Sequence, residues 1–504
     1  MTDFPDETGL YWQALGGNNI DQISGHCYQY TDIISHHRKL EASTLIVDIG
    51  KFDNHQALNV PGSSAAVPDV RELLTEARWN LKAVFLTHSH PDHLNGIVHY
   101  LKAGFRLPDL YGGKYTFMIL EQLYDEFEVP AGCRPQCHII RDGDKIKIAS
   151  FAVEVLASSH TCFDSFGLVI STADTTIYHT GDMKIDNSTC FRKPTNIKRL
   201  RELSAQIDCV VADFYGIYDD GFAVKESSTY KKLVGLIKKS GREKIFLPVY
   251  PTHPEMYLIA FLAALKLRKN VVFFGNPDFY GYLRLIMDYG ISFDKMAAGR
   301  IKVIYSHDRE EIKTLDENYV VIGTYNHVSL AFDADRRNSF GIITAKTFFN
   351  PFKGQLNAHN IPFVTVDDYP ELQGFGHGFL GDYEYLNSLL NQPVFIPTHC
   401  PVFVIDNFRE LADFIGIRLI DNTPCNGELY KISGRECRLL RRQPANWLVV
   451  TYQNNLACLT AVPQRATSGV GFLKRTISNR RCRRRFKIYL HARRRAKNNA
   501  DKKI

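Results

Sequence analysis

The apolar positions in the first part of the chain fall into short runs that are typical of β-strands. The clearest runs are residues 44–47, 83–86, 151–156 and 176–178. They are rich in β-branched and aromatic residues, which is the pattern of strands in a sheet. Each run ends in polar residues that could bind a metal ion. This region is therefore predicted to be β-rich, with its chemistry at the strand ends.

From residue 209 onward the pattern changes to strands that alternate with helices. The predicted order is strand 209–212, a helix after Ser227, strand 245–249, helix 254–267 and strand 271–274. Further strand-like runs are residues 319–322, 340–345 and 363–366, followed by a helix at 382–390 and a strand at 394–397. Such alternation predicts an α/β domain with a parallel sheet.

These changes of pattern divide the chain into four parts. We predict a β-rich domain that begins with residues 1–205, an inserted α/β domain at 206–360, a return segment at 361–450, and a linker with a basic tail at 451–504. The linker is placed around residues 466–471, which are rich in Gly, Ser and Thr. A chain of 504 residues exceeds what one hydrophobic core usually supports, which agrees with two domains.

Composition excludes several classes of protein. With 45% hydrophobic and 23% charged residues, the chain is neither disordered nor fibrous. No secretion signal is visible and no apolar stretch is long enough to span a bilayer, so no membrane partner is expected. The eleven cysteines are odd in number and scattered, which favours a reducing compartment over a disulfide framework. We therefore expect a cytoplasmic protein.

The net charge of +7 is concentrated at one end of the chain. Residues 474–503 contain fourteen Lys or Arg and one acid, a net charge of +13, so the rest of the chain carries −6. Three interpretations stay open for this basic tail. It is an arm that neutralises the phosphates of a nucleic acid, a solvated disordered terminus, or an extension unrelated to the rest of the chain.

The strongest chemical signal directly follows the strand at 83–86. Residues 87–93 read Thr-His-Ser-His-Pro-Asp-His, which places His88, His90, Asp92 and His93 within six residues. Imidazole nitrogen and carboxylate oxygen suit Zn²⁺ or Mn²⁺, and a tight turn after a strand can aim alternate side chains at two neighbouring ions. A polar, histidine-rich loop is the plainer alternative, but the spacing favours a metal site.

This H-x-H-x-D-H motif resembles the metallo-β-lactamase superfamily, whose remaining ligands follow at the ends of later strands. Asp48, His160 and Asp182 occur at matching places and in the matching order. Any one of them alone would more simply be a helix cap or a buried core residue. A flavodiiron oxidoreductase is disfavoured, because that pattern has a Glu where this chain has Ser89 or Pro91.

The resemblance implies two divalent metal ions, with zinc as the first choice and manganese or magnesium as alternatives. Its implied ligands are His88, His90 and His160 for one ion, Asp92, His93 and a later histidine for the other, and Asp182 as the bridge. Asp48 is expected to orient these ligands from behind. Two such ions can share a hydroxide nucleophile and neutralise charge on a phosphoryl oxygen, so the implied chemistry is hydrolysis.

The inserted α/β domain resembles that of the β-CASP family, the branch of the superfamily that processes nucleic acids. Asp213, His377 and His399 match its motifs A, B and C in order. His399 would complete the second metal site, and Asp213 would pair with His377 so that this imidazole can protonate the leaving oxygen. The implied catalytic residues are therefore Asp92, Asp213 and His377. The plainer alternatives are a helix cap for Asp213 and a loop residue for His377.

The implied fold class is α/β. Residues 1–205 and 361–450 would form a metallo-β-lactamase αββα sandwich, into which residues 206–360 are inserted as the β-CASP domain.

Over about residues 10–445 the chain is most similar to the ribonuclease J family, for example at Leu15-Gly16-Gly17 and at 395–399 and 426–429. The resemblance implies a two-metal phosphodiesterase that cleaves single-stranded RNA as a 5′-3′ exonuclease, an endonuclease or both, in RNA processing and decay. Gln373 stands where the family has a second histidine and Phe375 where it has a small polar residue. The phosphate-binding loop of the family is therefore not predicted here.

Several alternatives remain at this point. The chain could be a DNA-directed β-CASP nuclease, although a histidine at position 399 is more typical of RNA-directed members. It could be a catalytically weak RNA-binding subunit, although the complete ligand set argues against that. No counterpart of the family's C-terminal domain is visible after residue 450, which leaves a homodimer open. His26, His99 and His179 are interpreted as structural, and His253 either faces an RNA channel or has a structural role at a helix start; none of the four is assigned to the catalytic set.

Overall fold

The structure, a computed structural model, describes residues 5–18, 25–37, 39–52, 62–315, 318–332, 338–345, 350–374, 376–442, 445–463 and 479–501. Two large sheets are formed by strands from both halves of the chain. In spatial order, the first sheet contains β22 (Glu436–Arg441), β21 (Leu429–Ser433), β1 (Gly9–Gly16), β2 (Cys27–His36), β3 (Lys39–Val47), β5 (Leu81–Phe85), β6 (Leu110–Gly112) and β7 (Cys137–Ile139). The second contains β20 (Arg418–Leu419), β19 (Val394–Thr398), β12 (Cys209–Asp213), β11 (Thr176–His179), β10 (Phe166–Ser171), β9 (Phe151–Ala157) and β8 (Lys145–Ile148).

These two sheets pack face to face on one apolar layer. Trp12 and Val47 of the first sheet lie in the same buried cluster as Val155 and Val211 of the second. Alternate residues of β3 and β12 point the other way, where Ile46 and Val210 pack against helices. Helices therefore cover the outer faces of both sheets, since a sheet with apolar residues on both faces must be buried on both.

The covering helices give the fold its four layers. The helices beside the first sheet are α1 (Arg71–Thr75), α2 (Pro91–Leu94), α3 (Gly96–Lys102) and α4 (Lys114–Glu126). Those that pack on the second are α5 (Ile197–Leu203), α13 (Leu380–Leu389), α14 (Val402–Ile415) and α15 (Asn479–Asp501). The predicted αββα sandwich with an additional α/β domain is confirmed.

The inserted domain has a parallel sheet of its own. In spatial order it contains β15 (Val303–Ser306), β14 (Asn270–Phe274), β16 (Tyr319–Gly323), β13 (Lys244–Pro248), β17 (Ser339–Ile342) and β18 (Phe363–Val364). Its helices are α6 (Glu226–Ser240), α7 (Pro254–Lys266), α8 (Pro277–Tyr289), α9 (Phe293–Ala297), α10 (Arg309–Thr314), α11 (Tyr325–Val328) and α12 (Asn350–Ala358).

The predicted limits of the insert, 206 and 360, were both too early. Strand β12 pairs with β11 and β19 in the second sheet of the sandwich, so residues 209–213 belong to the first domain. Strand β18 pairs with β17, so the insert extends past residue 360. Both strands are buried runs in parallel sheets, and such runs look alike in sequence whichever sheet they join.

The return segment also extends further than the predicted limit at residue 450. Strands β23 (Asn446–Gln453) and β24 (Leu456–Pro463) form a hairpin, and β23 pairs with β4 (Ala65–Pro68). Asn454 and Asn455 connect the two strands with φ of 49° and 63°, the left-handed conformation of a two-residue hairpin turn. The predicted linker at 466–471 lies outside the described residues.

Helix α15 carries most of the basic tail and packs on the outer helices of the second sheet. Cys482, Phe486 and Leu490 are buried in the cluster that includes Phe408 of α14. The spacing of four residues places them on one face of the helix. The interpretation of the tail as a disordered terminus is therefore wrong for residues 479–501. In the part of the chain that the structure describes, no helix is long and apolar enough to cross a membrane.

Candidate active site

The predicted site residues meet where parallel strands of the two sheets end. In the first sheet β3 and β5 run in parallel, with Val47 opposite Phe85. In the second sheet β11, β12 and β19 run in parallel, with Asp213 opposite Thr398. Residues that directly follow these strands therefore share one edge of the sandwich. All nine side chains predicted as ligands or catalytic groups lie there: His88, His90, Asp92, His93, His160, Asp182, Asp213, His377 and His399.

The carboxylate of Asp182 lies at the centre of this group. Its Oδ2 is 3.7 Å from Nε2 of His88, 3.7 Å from Nε2 of His160 and 3.3 Å from Nε2 of His93. Its Oδ1 is 3.0 Å from Nδ1 of His399. One carboxylate thus faces imidazoles on both sides, which is the position expected for a bridging ligand.

The three histidines predicted to hold the first ion form one compact, buried cluster. Ligand atoms of His88, His90 and His160 all lie within 4.8 Å of one another. His160 is oriented by the loop before α13, because its Nδ1 lies 2.9 Å from the carbonyl oxygen of Gly376. A Cβ at Gly376 would stand 2.4 Å from that ring nitrogen, so only glycine allows this close approach.

Asp92 and His93 lie on the first turn of α2, which begins at Pro91. Proline suits the first helical position, since its fixed φ is already helical. His93 is held by Asp48, whose Oδ2 lies 2.7 Å from Nδ1 of the ring. Asp48 also accepts hydrogen bonds from the backbone N–H and the hydroxyl of Thr87. The predicted role of Asp48 behind the ligands agrees with this geometry.

The donor atoms fit a divalent cation. The Nε2 atoms of His88 and His93 are buried and, among the residues described, make no hydrogen bond. Orphaned buried nitrogens are costly unless something satisfies them. Burial lowers the pKa of His90 to about 4 and holds the pKa of His88 and His160 well below the usual range. These imidazoles are therefore neutral at pH 7 and keep a lone pair for a metal.

The site also contains charge that the histidines help to hold. Burial opposes the ionised form of Asp182, yet the neighbouring His399, His93 and His377 keep the pKa of this carboxyl well below its usual range. Burial likewise opposes protonation of His399, but Asp182 and Asp213 raise the pKa of this ring to about 10. A buried carboxylate surrounded by nitrogen donors is the electrostatic setting that favours a cation.

Asp213 and His377 form the predicted pair at the edge of the cluster. Nδ1 of His377 lies 2.7 Å from Oδ2 of Asp213, and the other carboxylate oxygen accepts the backbone N–H of Tyr215 at 2.9 Å. Burial raises the pKa of Asp213, but His377 outweighs this effect and lowers it to about 2. The aspartate is thus ionised and fixes one nitrogen of the imidazole.

Three neighbouring residues were not predicted as part of the site. The rings of Tyr215 and His377 have centroids 4.6 Å apart, and those of His253 and His90 have centroids 5.3 Å apart. His26 was interpreted as structural but stacks on His93 at 4.2 Å. Their proximity depends on contacts between distant segments, for which the sequence has no local signal. Phe375, which differs from the pattern of the ribonuclease J family, lies outside the described residues.

Comparison with known proteins agrees with this architecture. Residues 65–241 match the model of a beta-lactamase superfamily domain. The chain is 31% identical over 179 residues to ribonuclease J of Sinorhizobium meliloti, an alignment that covers 35% of this chain and 31% of the relative. It is 26% identical over 272 residues to ribonuclease J of Thermus thermophilus, covering 52% of this chain and 45% of the relative.

A longer alignment and a solved structure extend the similarity. Ribonuclease J of Helicobacter pylori is 22% identical over 393 residues, which covers 74% of this chain and 55% of the relative. These alignments thus span from 31% to 55% of the length of the relatives. A crystal structure of a protein of unknown function from Enterococcus faecalis superposes with a TM-score of 0.58 at 18% identity, over 86% of this chain and 100% of that one. The fold is shared.

Proposed function

We propose that this chain, which is similar to ribonuclease J and matches a beta-lactamase superfamily domain, is a metal-dependent ribonuclease that hydrolyses phosphodiester bonds of single-stranded RNA. The observation that carries the proposal is the convergence of buried imidazoles on Asp182, with the Nε2 atoms of His88 and His93 left without hydrogen bonds in the described structure. The Asp213–His377 pair beside them supplies a proton donor.

We assign the ions from the ligand order of the metallo-β-lactamase superfamily, which the chain resembles, and the compact grouping of His88, His90 and His160 agrees with it. His88, His90 and His160 would hold one ion, Asp92, His93 and His399 the other, and Asp182 would bridge them. When bound, two divalent ions, zinc as the first choice, would activate water and neutralise charge on the phosphoryl group. Imidazole-rich donor sets favour zinc over magnesium, which prefers oxygen ligands.

His377 is the residue that we assign to protonation of the leaving oxygen. Asp213 binds its Nδ1, so Nε2 is the atom that would deliver the proton. The side chain of His377 is 14% exposed, whereas those of Asp182 and His399 are 5% exposed. His377 therefore lies nearer to solvent than these two proposed ligands, as is required of a group that must touch the substrate. Asp92, a further proposed ligand, is 22% exposed.

We propose RNA rather than DNA as the substrate because of the residue at position 399. In the resemblance to β-CASP proteins, a histidine at motif C is typical of RNA-directed members, and His399 here also supports the bridging carboxylate at 3.0 Å. The experiment below decides whether cleavage is exonucleolytic or endonucleolytic and which 5′ end it requires.

The test is a cleavage assay with defined ends. The purified protein receives Zn²⁺, Mn²⁺ or Mg²⁺ and single-stranded RNA that carries a label and either a 5′-monophosphate or a 5′-triphosphate, with DNA of the same sequence as the matched control. We expect metal-dependent products from RNA. Release of mononucleotides indicates exonucleolytic action, and discrete internal fragments indicate endonucleolytic action. Cleavage of DNA at the same rate, or cleavage that survives metal removal, would refute the proposal.

A further inference from the structure

His26 is a buried imidazole that belongs to none of the predicted ligand groups. It follows the left-handed Gly25 and directly precedes β2, and its side chain is 0% exposed. Its backbone N–H donates to the carbonyl oxygen of Asp92 at 2.7 Å, and its own carbonyl accepts from Gly50 at 2.9 Å. The main chain therefore fixes His26 beside the helix that carries Asp92 and His93.

The ring of His26 faces the second group of metal ligands. Its centroid lies 4.2 Å from that of His93 and 4.0 Å from that of His399. Ligand atoms of these three histidines all lie within 4.8 Å of one another. This grouping has the same composition and compactness as the one formed by His88, His90 and His160.

The orientation of the His26 ring is set by its other nitrogen. Nδ1 lies 3.0 Å from the hydroxyl of Tyr28, which leaves Nε2 directed at the cluster. Gly17, at φ of 88°, makes room for this contact, because a Cβ there would stand 2.3 Å from Nδ1. A fixed tautomer and ring orientation is what metal-binding histidines obtain from such partners.

Nε2 of His26 is the atom that needs an explanation. It is buried and makes no hydrogen bond among the described residues, and it lies 3.4 Å from Oδ2 of Asp92. A buried imidazole nitrogen that has no hydrogen-bond partner among the described residues, next to a carboxylate, is a candidate ligand for a cation.

We propose that His26 is a direct ligand of the second metal ion, in addition to Asp92, His93 and His399. Each ion then has three imidazole donors and shares Asp182. This inference rests on the proposed two-metal site and deepens it, since a nitrogen-rich second site selects zinc or another borderline metal over magnesium and calcium at both positions.

The number of metal-bound imidazoles can be counted directly in the wild-type protein. The holoprotein is prepared with nitrogen-15 histidine and cadmium-113, and each coordinated ring nitrogen is then split by scalar coupling to the metal. We expect couplings from six residues: His26, His88, His90, His93, His160 and His399. A count of five, or no coupling that disappears in His26→Asn, overturns the proposal.

A matched variant controls for the loss of any buried histidine. His99 is also buried and also bonds a tyrosine, with Nδ1 2.7 Å from the hydroxyl of Tyr452, but it lies in α3 outside the cluster. His99→Asn should retain all six couplings. If His26→Asn does not fold, the count in the wild-type protein still decides.

The result separates this inference from the proposed function. Six couplings without any RNA cleavage would preserve His26 as a ligand and reject the ribonuclease. Five couplings with metal-dependent RNA cleavage would reject His26 as a ligand and support the ribonuclease. A role in positioning Asp92 alone predicts five couplings, because Nε2 of His26 would then contact the carboxylate and not the ion.

Discussion

The cluster of proposed metal ligands around Asp182 and helix α15 both concentrate ionisable groups, but they differ in what neutralises them. In the cluster, Asp182 and the surrounding histidines are buried, and Nε2 of His88 and of His93 have no hydrogen-bond partner among the described residues. In α15, Arg480, Arg484 and Arg495 are exposed, while the buried residues of the helix are apolar or thiol. Water can satisfy the second set, whereas the buried imidazole nitrogens of the first are removed from solvent. The cluster is therefore suited to a bound cation, whereas charge on the helix is available to a partner.

The helix also shows how surface charge is partly neutralised within the chain. Arg485 pairs with Asp219 at 2.5 Å, and Arg493 pairs with Glu384 at 2.8 Å and with Asp220 at 3.0 Å. Because these pairs are partly exposed, each contributes little to stability. The apolar contact of α15 with α14, for example between Phe486 and Phe408 with centroids 5.3 Å apart, is the stronger attachment.

The largest effect is expected from changing the bridging residue. Asp182→Asn should reduce RNA cleavage by more than about 10⁴-fold, beyond what loss of a proton donor alone produces, and should lower the metal content. His90→Ala should behave in the same way, because it removes a ligand of the first ion. Cleavage assays and elemental analysis of the purified variants measure both quantities. His99→Asn, outside the cluster, is the control and should change neither. A variant of Asp182 that keeps full metal content and near wild-type turnover contradicts the assignment.

The next effect concerns His377, the proposed proton donor, which lies beside the proposed ligands but is not expected to bind a metal. His377→Ala should slow cleavage by about 10² to 10⁴-fold with unchanged metal content, the usual range for loss of a general acid. A substrate with an activated leaving group should recover much of this rate, since it needs less protonation. Rates on both substrates are compared for wild type and variant. An equal loss on the two substrates would argue against proton donation by His377.

A smaller effect is expected where α15 is attached. Phe486 is 2% exposed, so Phe486→Ala should destabilise the docked helix by about 3 kcal/mol. Hydrogen exchange of residues 479–501 measures the free energy of local opening. Ile488→Ala, on the same helix at a position that is 55% exposed, is the control and should cost no more than about 0.5 kcal/mol. Turnover should be unchanged in both, because no proposed ligand lies on α15; a drop in the Phe486 variant would couple the helix to the site.

The smallest effect tests whether the exposed arginines of α15 bind RNA. Replacing Arg480, Arg484 and Arg495 by Gln should make the slope of log affinity against log salt shallower by about 0.7 for each RNA phosphate that is no longer neutralised. Affinity should fall alike for all sequences, because binding to phosphates carries no base information. Titration of labelled single-stranded RNA at several salt concentrations measures both quantities. Arg493→Gln, which removes an arginine already paired with Glu384, is the control. An unchanged slope in the triple variant would mean that the helix does not bind RNA.

The same comparison explains which parts of the molecule could be predicted from the sequence. The ligands were assigned from the histidine-rich motif at 87–93 and from the order in which Asp182 and His399 follow later strands, which together match a known family. Neither of these two residues alone carried that signal. The limit of the insert could not be found in this way, because the run 209–213 reads the same in either sheet and only its pairing with β11 and β19 decides. Helix α15 was hidden because its apolar face consists of only three residues among many arginines. His26 reaches the cluster through contacts with Asp92 and Tyr28 that no local pattern encodes.

The pairing of β1 with β21 has a consequence for synthesis on the ribosome. Leu10 pairs with Ile432, and Asp213 of β12 pairs with Thr398 of β19. Both large sheets are therefore completed only by strands that are translated after the whole insert. At about 5 to 20 residues per second, the delay between β1 and β21 is on the order of 20 to 80 s. The insert has all of its own strands before that time, while the hairpin of β1 and β2 leaves an open edge. The inserted domain is thus complete before the domain that contains it, and the proposed metal centre cannot be assembled until His399 has emerged.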